Sequence, residues 1–73
     1  MRGRLTIGEL FPDGMTIRHY AAERATRNAE RQGRKKWNSD DRAVYLRVYY
    51  DILERVAGPD HPAVIDYKRE SAA

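Results

Sequence analysis

The chain has no cysteine among its 73 residues, so neither a disulfide nor a cysteine-ligated metal can staple it. That absence also fits a reducing compartment. Large rings are scarce apart from five tyrosines, with one tryptophan and one phenylalanine. No apolar run approaches the roughly 18 residues of a membrane span. Met1-Arg2-Gly3-Arg4 is basic, but no apolar stretch follows it, so it does not read as a signal peptide. A cytoplasmic protein that stays out of membranes is expected. One domain over residues 1–73 is the most that such a length allows, with 1–5 and 70–73 frayed. A chain this short buries only about 60% of its unfolded surface. Oligomerisation is the common remedy left, and a homo-oligomer, most simply a dimer, is expected.

Catalytic chemistry is missing as well. His19 and His61 stand alone, without the ligand spacing that zinc requires, so no metal or cofactor is expected. Asp40 and Asp41 are neighbours that point in different directions, and helix capping accounts for them. Ser39 and Ser71 lack a nucleophile motif, and Gly8, Gly14 and Gly33 form no phosphate-binding loop. No acid, base and nucleophile can be assembled, so the chain does not read as an enzyme.

What the chain does have is charge, unevenly placed. The net charge is +3. Residues 1–37 carry +5 and residues 38–73 carry −2. A basic half beside an acidic half suggests that one face meets an anion. Two faces that attract each other, within a chain or between chains, would leave the same mark.

The pattern predicts an all-α fold: a short N-terminal helix, two long helices as a hairpin, and a short C-terminal helix. Thr6-Ile7-Gly8-Glu9 has the form of a capping box, and its helix would end by Phe11, before Pro12. A brief strand at Leu5-Thr6-Ile7 is the alternative. Asp13-Gly14 reads as a turn. Thr16 is a candidate N-cap, with Met15 and Tyr20 at staple positions. Strong helix formers then run from Ile17 to Gln32, and Gly33 supplies the stop. Asn38-Ser39-Asp40-Asp41 starts the next helix, which Gly58-Pro59 ends. Asp60-His61-Pro62 opens the last one, whose Val64, Ile65 and Tyr67 can fold back on the central helix. Lys68 to Ala73 reads as a fraying tail.

Two surfaces stand out. On the first long helix, Arg24, Arg27, Arg31 and Arg34 recur at three- and four-residue intervals, so their guanidiniums fall along one edge. Arg18, Lys35 and Lys36 extend this patch. Such an array can neutralise several phosphates and release their counterions. Arginine suits phosphate because its fork donates two parallel hydrogen bonds. Asn28 and Gln32 are types that can read an adenine edge. The plainer reading is a solvated face supported by Glu23–Arg27 and Glu30–Arg34 pairs. Trp37 either closes the small core or stacks on a base.

The second surface is the central helix. Tyr45, Tyr49, Ile52 and Val56 form one stripe, and Leu46, Tyr50, Leu53 and Ala57 the adjacent one. An ordinary surface helix needs an apolar stripe little wider than ~100°, so this helix should meet more than one neighbour. Tyr45, Tyr49, Tyr50, Ile52, Leu53 and Val56 are therefore candidate interface residues, for a second copy or a protein partner.

Leu5-Thr6-Ile7-Gly8-Glu9-Leu10 followed by Thr16-Ile17-Arg18-His19-Tyr20 is similar to the opening of MerR-type winged-helix DNA-binding domains. Gly33-Arg34-Lys35-Lys36-Trp37-Asn38-Ser39-Asp40-Asp41 resembles that family's wing end and the acidic start of its next helix. The resemblance implies that Thr16, Arg18 and Tyr20 touch a DNA backbone and that Arg34 to Lys36 act near the wing. Two departures accompany it. Only Phe11 to Met15 separates Leu10 from Thr16, and Ala21 to Gln32 reads as unbroken helix where the family builds a β-wing. The functional expectation is a small regulator or accessory protein that binds double-stranded DNA, or else a helical protein-interaction module docking through its tyrosines.

Overall fold

The computed structural model describes Phe11 and residues 14–72. The expected N-terminal helix, with its Thr6–Glu9 capping box, lies outside the described residues. Within them the chain is helical throughout, with α1 at Ile17–Arg31, α2 at Ser39–Ala57 and α3 at Pro62–Ala72. Helices α1 and α2 form a long hairpin, and the shorter α3 packs on α2. No helix among the described residues is long and apolar enough to cross a membrane.

Local chemistry sets each boundary. Ahead of α1, Gly14 N–H donates to the Phe11 carbonyl at 3.0 Å. The Thr16 hydroxyl then accepts from His19 N–H at 3.1 Å, capping the helix as its sequence suggests. At the other end, Arg34 N–H reaches the Ala29 carbonyl and Gly33 N–H the Glu30 carbonyl, both at 3.0 Å. These are the two bonds of a Schellman motif, which needs a left-handed residue next to the cap. Gly33 fills that position with φ +74°. Helix α2 opens on a full capping box between Asn38 and Asp41 and stops at Gly58. His61 Nδ1 accepts from Ala63 N–H at 3.1 Å and starts α3, with Pro62 as the first helical residue.

The hairpin closes over a narrow seam. Ile17, Ala21, Ala25 and Ala29 recur every four residues along α1, and all are buried. Alanine lets the two backbones approach closely but contributes little apolar area. Ile52 faces them from α2, and Val64 is the buried residue of α3. Ile52 thus belongs to the chain's own core rather than to an interface. Ile65, expected to fold back, is instead 40% exposed. The tail expected to fray from Lys68 is instead helix to Ala72, and Lys68 Nζ reaches Glu54 Oε1 on α2 at 2.9 Å.

The tyrosines form a ladder inside one molecule. Ring contacts run from Trp37 to Tyr45, Tyr49, Tyr50 and Tyr67, with centroids 4.5 to 5.9 Å apart. Trp37 Nε1–H also donates to Thr26 Oγ1 at 3.1 Å, which ties the ladder to α1. Trp37 therefore serves the hairpin. The closest pair, Tyr50 and Tyr67, is stacked at 4.5 Å and holds α3 down. Aromatic pairs contribute roughly 0.5–1.5 kcal/mol beyond their buried area. Tyr67→Ala is expected to cost about 2 kcal/mol in urea unfolding and to speed amide exchange in α3 first. Unchanged exchange in α3 would show that the stack does not anchor it.

Candidate nucleic-acid interface

Helix α1 carries three exposed arginines in a row, Arg24, Arg27 and Arg31. Each is placed by the burial of the alanines on the other side of the helix. Past the Gly33 turn, Lys35 and Lys36 are also exposed. Arg18 is exposed too, but it does not extend the row. Nine residues before Arg27, it projects from about the opposite side of an α-helix.

The guanidiniums differ in what holds them. Arg24 Nη1 donates to Tyr20 Oη at 2.8 Å, with its guanidinium 5.7 Å from the ring centre. Arg31 Nη2 makes a longer bond, 3.3 Å, to Asn28 Oδ1. Arg18, Arg27, Lys35 and Lys36 have no hydrogen-bond or ion-pair partner among the described residues. The expected helical pairs with Glu23 and Glu30 do not form there. Glu23 instead lies 3.4 Å from His19 Nε2.

Arg34 leaves the row altogether. Its Nη2 donates to Asp41 Oδ1 at 2.7 Å and its Nη1 to Gln32 Oε1 at 2.6 Å. The Schellman turn swings the backbone around and points this side chain back at the start of α2. Asn28 is committed to the same carboxylate through Nδ2 at 2.8 Å. Neither Asn28 nor Gln32 is therefore free to read a base edge. Asp41 is completely buried. Burial pulls its carboxyl upward, but the Asn38 backbone N–H, the Asn28 amide and the Arg34 guanidinium outweigh that and hold it below its ordinary value. This cluster locks the turn between α1 and α2.

An open cleft of about 1080 Å³ runs between α1 and α2. Arg24 and Arg27 line it from α1, and Arg47 and Arg55 from α2. Its apolar lining includes Val48 and Ile52, with Tyr20 and Phe11 also present. Two carboxylates, Glu23 and Asp51, sit among the arginines. Asp51 is paired to Arg55 at 3.5 Å, whereas Arg47 has no partner among the described residues.

Comparison with protein-family models, curated proteins and solved structures finds no match to this chain.

Arg47 and Arg55 were not among the residues singled out from sequence, because they lie in the half with net negative charge. Their spacing could have shown them. Arg47, Asp51 and Arg55 recur every four residues on the side of α2 away from Leu46 and Tyr50. Of the candidate interface residues, Tyr45, Tyr49, Tyr50, Leu53 and Val56 are half-buried. No group of three His, Asp or Glu side chains among the described residues could hold a metal ion.

Proposed function

We propose that the protein binds DNA through its phosphates, as a small regulatory or accessory factor. The observation that carries this reading is the state of the cations on α1 and the following link. Arg24, Arg27, Arg31, Lys35 and Lys36 are exposed, and none has a carboxylate partner among the described residues. The field of unpaired cations suits a polyanion, and the affinity should be mostly electrostatic. Losing Arg34 to the Asp41 lock shortens the array by one without breaking it.

Fluorescence anisotropy with a labelled duplex tests this. Binding in the nanomolar-to-micromolar range is expected at low salt, weakening steeply as salt rises. No binding at low salt would remove the proposal.

A second reading is docking of α2 on a protein, either a second copy or another partner. Leu46, 42% exposed on α2, favours it. The tyrosines themselves are already engaged with one another, which places this reading second. Tyr45→Ala would abolish function under it, whereas Arg27→Gln and Arg31→Gln would not.

A further inference from the structure

The cleft between α1 and α2 has features that phosphate rails alone do not call for. We propose that it takes a short unpaired nucleic-acid strand rather than a duplex, an inference that rests on the nucleic-acid reading above.

Three observations converge on it. Arg27 and Arg47 line the cleft from facing helices, and both guanidiniums lack partners among the described residues. The half-buried Val48 also lines it, with the edge of the core residue Ile52 at its floor. Tyr20 and Phe11 add two rings, with centroids 5.3 Å apart. Cations that track a backbone, together with rings and apolar atoms that receive base faces, are how unpaired strands are held without sequence preference. A duplex keeps its base faces stacked inside and offers only phosphate and sugar at its rim, so it cannot use the apolar lining. A volume of about 1080 Å³ is at the upper end of what small ligands fill, and it suits a few nucleotides. Glu23 and Asp51 do not cancel the site. Asp51 is paired to Arg55, and Glu23 lies against His19. Both leave the Arg27 and Arg47 positions to the phosphate.

The test uses the full chain labelled with ¹⁵N, a 12-nucleotide oligo(dT) strand and a 12-base-pair duplex. The strand is expected to shift the amides of Tyr20, Val48 and Ile52 and to bind at least about fivefold more tightly than the duplex. Arg47→Gln should weaken strand binding about tenfold and leave duplex binding unchanged. Arg47 is exposed and without a partner among the described residues, so this variant should fold. If the strand shifts only the region of Lys35, Lys36 and Trp37, the cleft assignment falls and the DNA reading stands. If neither nucleic acid binds, both fall. If a poly-glutamate peptide shifts the cleft amides and oligo(dT) does not, the site belongs to acidic peptides and the assignment is overturned.

Discussion

Asp41→Ala is expected to lower the melting temperature by more than about 10 °C. The reason is how many groups meet at one carboxylate. Oδ1 accepts from Asn28 and Arg34, and Oδ2 accepts from the Asn38 backbone N–H. Alanine would strip the α2 cap of its reciprocal half and leave Arg34 facing a buried gap. Breaking a buried pair on one side costs far more than the intact pair contributes, because the remaining charge loses its compensation. Arg34 would keep its bond to Gln32, but its Nε is already buried without a partner. Thermal melts followed by circular dichroism would measure the loss. A shift of only a degree or two would mean that the cluster decorates the turn rather than holding it.

The same carboxylate sets an acid limb. Its folded value lies below 3.8, so the unfolded chain takes up the proton more readily than the folded one. Its contribution is therefore complete above the unfolded value and is lost as pH falls through the folded value. Asp41→Asn should be less stable near neutrality and should lose less between pH 4 and pH 2. A variant with the same acid limb as the parent would move that titration to another group.

Much of the hairpin was readable because capping chemistry is local. Thr16, Gly33, Asn38 and Gly58 each stand where their side chain or backbone freedom ends or begins a helix. The four-residue repeat of Ile17 and the alanines showed which side of α1 is buried. What stayed hidden depends on distance along the chain. Arg34 fits the arginine spacing on paper, yet the Gly33 turn removes it from the helix axis before its side chain can join the row. Its partner Asp41 could be read as a cap, but that spacing says nothing of Arg34 or Asn28 converging on the other oxygen. The contacts of α3 were hidden for a similar reason, since Lys68 pairs with Glu54 and Tyr67 stacks on Tyr50, fourteen and seventeen residues earlier. Ring spacing on α2 showed an aromatic surface but not what covers it. Trp37 and Tyr67, one on each flank, decide that the rings stack within one chain.

The basic row can be separated from the lock by salt. The triple variant Arg31→Gln, Lys35→Gln and Lys36→Gln is expected to flatten the salt dependence of duplex binding by about 2.7 in the log–log slope, at about 0.9 for each phosphate left without its cation. That slope fixes how the affinity change varies with salt concentration. The drop should be about 500-fold larger at 50 mM than at 0.5 M. Lys35 and Lys36 have no partner among the described residues, and Arg31 makes one 3.3 Å bond to Asn28, so stability should hardly move. Arg34→Gln should do the opposite. It removes the charge that faces Asp41, lowers the melting temperature, and leaves the salt slope of the folded protein as it was. If Arg34→Gln flattens the slope as much as each residue of the triple does, then its guanidinium reaches phosphate despite Asp41, and the division between lock and binding row is wrong. If the triple variant leaves the slope unchanged, the duplex is not held by this row at all.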